Sequence, residues 1–150
     1  MDASVVDTGL LLRWIGIGGC FGLSCFGAAI GMAANGPAVI GAWKKCYVQN
    51  KPAPFIILVF AGTTLTNILY GYILLMFLSA TSLGNPQVLI LGLGAGLCIG
   101  GVAITQAMCA AAGAEAFVET GKGFANYLMV VGIAETVSLF SVVFTIILAT

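Results

Sequence analysis

Four apolar stretches divide the chain, at roughly residues 10–42, 53–80, 87–114 and 124–149, with short polar segments between them. Each is at or above the roughly 20 residues a helix needs to cross the hydrocarbon core of a bilayer. A transmembrane β-barrel would instead show ten-residue segments of alternating polarity, which are absent. The pattern predicts an all-α integral membrane protein of four transmembrane helices, with almost nothing outside the bilayer. Composition agrees, because 150 residues with 61% hydrophobic and 7% charged side chains carry too much apolar surface for a soluble core. Asp2 and Asp7 precede any basic residue, unlike the basic start of a secretory signal, so the first helix is expected to be retained.

Small residues are spread unevenly over these four helices. The first holds eight glycines (Gly16, Gly18, Gly19, Gly22, Gly27, Gly31, Gly36, Gly41) and the third holds six (Gly92, Gly94, Gly96, Gly100, Gly101, Gly113). The second has Gly62 and Gly71, and the fourth has Gly132 past its opening turn. Small residues three to five apart let helix backbones approach closely in lipid, where hydrophobic burial supplies no drive. Six to eight per helix exceeds the need of one seam and points to helices packed on several sides by similar helices, as in an inner ring of repeated copies. A generic bundle packed on small residues is the plainer alternative.

The chain also resembles itself. A shift of 72 lays Gly31 on Ala103, Ala38 on Ala110 and Gly41 on Gly113, and a shift of 70 lays Thr66 on Thr136, Leu69 on Leu139 and Tyr70 on Phe140. Two tandem hairpins are expected, residues 1–82 without a membrane carboxylate and residues 83–150 with one.

Charge sets the expected orientation. Lys44, Lys45 and Lys51 fall in the first connection and Lys122 in the third, against Arg13 at the start of the first helix. The positive-inside rule then places the turns between helices one and two and between three and four in the cytoplasm. Arg13-Trp14 reads as an interfacial anchor, and Glu115, Glu119 and Lys122 as a solvated edge or a contact for a partner. The five cysteines lack paired spacing and read as small hydrophobes. There is no histidine, no C-x-x-C and no basic cluster suited to nucleic acid, so no cofactor or nucleic-acid partner is expected.

Candidate chemistry gathers at one depth. Glu135 is the one side chain in the fourth stretch that ionises at neutral pH, and an acid at mid-membrane costs roughly 2.5 to 3.5 kcal/mol or more, so its default reading is functional. Thr63, Thr66, Asn67 and Tyr70 lie at i, i+3, i+4 and i+7, one stripe on the second helix. Gln106 on the third helix and Glu135 on the fourth both lie about 21–22 Å from the connection near residue 120 at 1.5 Å per residue. Thr105, Thr136 and Ser138 flank them. A carboxylate with amide, hydroxyl and backbone oxygens suits a proton or a small hard cation, and either neutralises the charge that lipid rejects.

At this point the chain resembles the rotor-ring proteolipid of rotary ATPases, in the duplicated four-helix form of the vacuolar type. The resemblance rests on Gly27-Ala-Ala-Ile-Gly31-Met-Ala-Ala-Asn-Gly36, on Gln106-Ala-Met-Cys-Ala-Ala-Ala-Gly113 and on Ala134-Glu135-Thr136-Val-Ser-Leu-Phe140. It implies a homo-oligomeric ring with helices one and three inside and helices two and four outside. Glu135 would bind the transported ion, Na+ or H+, with Thr66, Tyr70, Gln106, the Thr63 carbonyl and Asn67 completing the site. Asn67 stands where sodium-carrying relatives have the longer Gln, and Leu65 occupies the carboxylate position of the first hairpin. The implied partners are identical copies, a stator subunit supplying an arginine, central-stalk subunits at the cytoplasmic turns, and lipid. The implied membrane is the cell membrane in a bacterium or the vacuolar system in a eukaryote, and catalysis of ATP hydrolysis would belong to other subunits. A small four-helix exporter of cationic drugs is the runner-up; it would need an aromatic-lined cavity and usually places its acid in the first helix. A membrane-embedded enzyme has little support without histidine or paired acids.

Overall fold

The computed structural model describes residues 7–150; Asp2 lies outside them. Five α-helices follow one another: α1 (Thr8–Val48), α2 (Leu58–Gly62) after a 3-10 turn at Phe55–Ile57, α3 (Leu65–Ala80), α4 (Asn85–Thr120) and α5 (Phe124–Ala149). Phe55–Ala80 forms a single span, so four helices are long and apolar enough to cross a membrane, as the sequence predicts. There are no strands among the described residues.

Local chemistry marks the ends. The Asp7 side chain accepts a hydrogen bond from the Gly9 amide at 2.9 Å, satisfying one of the free N–H groups that open α1. Gln87 returns from the first turn of α4 to accept from the Gly84 amide at 2.9 Å, with Pro86 in that same turn. The tight link between α4 and α5 needs left-handed backbone at two places, and Gly121 (φ 65) and Gly123 (φ 80) supply it. α1 and α4 extend past the predicted 10–42 and 87–114, to 41 and 36 residues, because no breaker follows Ala42 or Ala114. At 1.5 Å per residue they are about 61 and 54 Å long, more than the roughly 30 Å of a bilayer core.

Two features depart from a simple four-rod reading. The hydrogen-bond ladder of the second span is interrupted at Thr63–Thr64, although both keep right-handed helical dihedrals. The cause is a side chain inserted from the neighbouring helix: buried Asn35 of α1 donates Nδ2 to the carbonyls of Phe60 (2.9 Å) and Ala61 (3.3 Å). Second, Arg13 is more than an interfacial anchor. Its guanidinium donates to the carbonyls of Leu83 (2.9 Å), Thr81 (2.6 Å) and Leu78 (3.3 Å), closing the end of α3 and the turn after it. Thr81 in turn donates its hydroxyl to the carbonyl of Ala149 at 2.8 Å, at the end of α5. At the opposite end Lys45 and Glu119 form an ion pair at 2.9 Å, exposed on both sides.

Glycine decides how closely α1 and α4 lie. A Cβ on Gly27 would stand 2.1 Å from the Gly100 carbonyl oxygen, one on Gly16 2.5 Å from Leu89 Cα, and one on Gly31 2.8 Å from the Ala103 oxygen. The two helices therefore run parallel, in contact backbone to backbone, with partners 72 to 77 residues apart. A second set, Gly18, Gly22, Gly41, Gly94 and Gly101, meets nothing within 4 Å and faces outward. Replacing Gly27 by Val drives a side chain into backbone that cannot yield, and is expected to lower stability by more than about 3 kcal/mol. Gly22→Ala is expected to stay within about 0.5 kcal/mol. Thermal unfolding of the two detergent-solubilised variants measures the contrast.

Candidate functional site

Three helices bring the polar group together where α3 and α5 lean on α4. Glu135, half-buried on α5, accepts a hydrogen bond from Tyr70 Oη of α3 at 3.1 Å and one from Gln106 Nε2 of α4 at 3.3 Å. The two contacts use different carboxylate oxygens, Oε1 for Tyr70 and Oε2 for Gln106. Behind Gln106, Asn67 Nδ2 donates to Gln106 Oε1 at 2.6 Å, and Ser138 Oγ donates to Asn67 Oδ1 at 2.6 Å. Gln106, Asn67 and Ser138 are all completely buried. The wider surroundings are apolar, with Leu74, Ile99 and Val142 in the core beside them and Val137, Leu139 and Phe140 exposed on the outer side of α5.

The surfaces explain why these residues meet. The i, i+3, i+4, i+7 stripe holds for Asn67 and Tyr70, which point across to α4 and α5. The threonines of the same stripe turn back into their own helix. Thr66 Oγ1 donates to the Thr63 carbonyl at 3.0 Å and Thr63 Oγ1 to the Phe60 carbonyl at 3.0 Å, the usual fate of a hydroxyl in an apolar helix. Both carbonyls sit at the interruption in the helical ladder, where the ordinary amide donors have been drawn away. The sequence-predicted group thus divides: Glu135, Tyr70, Gln106 and Asn67 form one connected network, whereas Thr63 and Thr66 form a separate one a turn away. Thr105 and Thr136 also bond backward, to Val102 at 3.0 Å and Ile133 at 2.7 Å.

Two participants were not among the predicted ion-binding residues. Ser138 stands three residues after Glu135, so its helical position alone puts it on the same side of α5. Asn35 is the polar interruption in the small-residue run of α1, and its role emerges only when the carbonyls of Phe60 and Ala61 lie beside it. Its own Oδ1 is buried without a hydrogen-bond partner among the described residues.

Chemically, the network presents N–H and O–H donors to a carboxylate and offers no cation to balance it. Lysines and Arg13 are held at the two ends of the molecule, with Lys45 paired to Glu119 and Arg13 to the carbonyls beyond α3. Among the described residues no three His, Cys, Asp or Glu side chains cluster as a metal centre would require. What remains is a single carboxylate in an apolar wall.

Residues 89–148, most of α4 with nearly all of α5, match the model of the ATP synthase C-subunit family. The matched segment contains Gln106, Glu135 and Ser138, while Asn67 and Tyr70 come from the part before it. No curated protein matches the chain.

The division of the polar residues into two networks has a measurable consequence. Asn67→Ala strands Gln106 Oε1 and the Ser138 hydroxyl in a dry interior and is expected to destabilise by about 1–3 kcal/mol. Thr66→Val removes only a bond to its own helix, with an expected effect within about 0.5 kcal/mol. Thermal melts of the two variants in one detergent compare them directly.

Proposed function

We propose, from the match of residues 89–148 to the ATP synthase C-subunit family model, that this chain is the ion-carrying subunit of the rotor ring of a vacuolar-type rotary ATPase. The observation that carries the reading is Glu135, an acid in a spanning helix held by Tyr70 and Gln106 and by no cation among the described residues. Lipid accepts such a group only when it is neutral, so passage through the bilayer requires loading. A stator subunit supplies the arginine that displaces the cargo, and identical copies close the ring. The subunit itself is a carrier, and ATP hydrolysis takes place in soluble partners.

Three features support the vacuolar form and the ring. Parallel α1 and α4 meet at residues 72 to 77 apart, close to the spacing of 72 in the internal resemblance and consistent with tandem hairpins at 1–82 and 83–150. Leu65 of the first hairpin lies exposed where a second carboxylate would stand, so each four-helix copy carries one ion. The outward glycines of α1 and α4 leave thin faces that would suit the same helices of neighbouring copies, which supports a ring with α1 and α4 inside and α2, α3 and α5 outside. One ion per four helices lowers the number moved in each turn and suits a pump working against a steep gradient. The lysine-rich turns face the cytoplasm, where α1 and α4 project toward the central stalk.

The donor arrangement favours the proton over sodium. Sodium needs oxygen lone pairs directed at it, yet the Thr63 carbonyl already accepts from Thr66 and Asn67 Oδ1 from Ser138. Gln106 and Tyr70 both turn hydrogens toward Glu135. The exporter alternative loses its main requirement, because the large groove of about 540 Å³ is lined by Cys25, Met32, Leu58, Thr64, Leu65 and Ile68 among small residues, with no aromatic ring and without Glu135.

A hydrophobic carbodiimide applied from the membrane phase is expected to modify Glu135 in preference to Glu115 and Glu119, fastest at low pH, with sodium giving no protection. Mass spectrometry of the labelled protein reads the site and the rate. Equal labelling of all three acids would argue against a carrier, and protection by sodium would reassign the cargo. Mild solubilisation is expected to release a closed ring of many copies; a monomer would favour the exporter.

A further inference from the structure

Ser138 lies one turn beyond Glu135 on α5, is completely buried, and directs its hydroxyl at Asn67 instead of at the carboxylate. From there three hydrogen bonds run in series. Ser138 Oγ donates to Asn67 Oδ1 at 2.6 Å, Asn67 Nδ2 to Gln106 Oε1 at 2.6 Å, and Gln106 Nε2 to Glu135 Oε2 at 3.3 Å. A primary amide donates at one end and accepts at the other, and the two ends have nearly the same shape. The series therefore has a sense, and that sense is shared by all of its members.

Turning one amide alone breaks it. With Gln106 reversed, its NH2 would face the NH2 of Asn67; with Asn67 reversed, its oxygen would face the oxygen of Gln106. An unpaired buried polar group is costly, and no water-exposed surface lies beside these completely buried residues to relieve it. Turning both amides together satisfies everyone. Gln106 then offers its oxygen to Glu135 and donates Nε2 to Asn67 Oδ1, Asn67 donates Nδ2 to Ser138 Oγ, and the Ser138 hydrogen swings to the carbonyl one turn back on α5. The observed sense offers a hydrogen to Glu135 and fits a carboxylate. The reversed sense offers an oxygen and fits a protonated carboxyl, which has a hydrogen to give.

We propose that Ser138 and Asn67 are positioning residues that set which end of the Gln106 amide meets Glu135, and that the two amides turn over together when Glu135 takes up its proton. This rests on Glu135 as the carrier. Glu135 of α5 and Tyr70 of α3 are the titratable side chains that meet here, while α4 contributes the neutral Gln106. Tyr70 is free to serve either form, since its hydroxyl donates to a carboxylate and accepts from a carboxyl. The relay makes proton uptake visible one turn along α5, at a serine that never touches the proton.

Infrared difference spectroscopy of the protein in bilayers, low pH minus high pH, separates carboxyl from side-chain amide carbonyl bands. The expected spectrum shows amide bands shifting together with the carboxyl band of Glu135, which Glu135→Gln identifies by removing it. Asn67→Leu loses one amide's share and uncouples the other, and Ser138→Ala loses the amide shift while the carboxyl band persists. Thr136→Val, whose exposed hydroxyl bonds to Ile133, gives the unaltered spectrum. A carboxyl band that moves with no amide shift overturns the relay and leaves Glu135 as carrier. A spectrum that Glu135→Gln does not change overturns both. The unsubstituted protein decides the first of these even where a variant fails to fold.

Discussion

An ionised carboxylate inside a bilayer persists only while something shares or cancels its charge. Here the sharing is done by a phenol and an amide from two other helices, Tyr70 and Gln106, each on its own carboxylate oxygen. Neither can remove the charge, so the ionised group stays unsuited to lipid. The rest of the molecule serves to hold three helices at distances where these contacts form. Glycine makes that geometry available: backbone contact between α1 and α4 leaves α3 and α5 to pack on one side of the pair, close enough for Asn67 of α3 and Ser138 of α5 to meet over Gln106.

The same economy governs the backbone. A bilayer supplies no water to free carbonyls, so each interruption of a helix must be answered by a side chain. Asn35 answers for Phe60 and Ala61, and Thr63 adds its hydroxyl to Phe60. Arg13 answers for the carbonyls that end α3. Asn35 and Arg13, which look scattered along an apolar sequence, are thus each assigned to a particular break or end.

The four spans and the depth of Glu135, Gln106, Asn67 and Tyr70 were legible because hydrophobic length and helical rise are properties of one helix at a time. The identity of hydrogen-bond partners was not, because it depends on how helices face one another. Spacing placed Thr63 and Thr66 on the stripe with Asn67 and Tyr70, yet a threonine hydroxyl finds a carbonyl in its own helix before it finds a neighbour. Ser138 could have been chosen from its offset to Glu135, but a serine in an apolar helix usually bonds backward in the same manner, and only buried Asn67 beside it drew it outward. The interruption at Thr63–Thr64 and the grip of Arg13 both depend on carbonyls remote in sequence, with nothing local to announce them.

Arg13 and Thr81 also give the molecule unequal ends. At one, a single guanidinium and one hydroxyl tie α1, the end of α3 and the end of α5 through partly buried hydrogen bonds. At the other, the long ends of α1 and α4 share an exposed Lys45–Glu119 pair, which contributes about 0–1 kcal/mol. The two ends are thus held by different means: hydrogen bonds to carbonyls at the first, and an apolar cluster with Phe60, Phe117 and Phe124 beneath the exposed ion pair at the second.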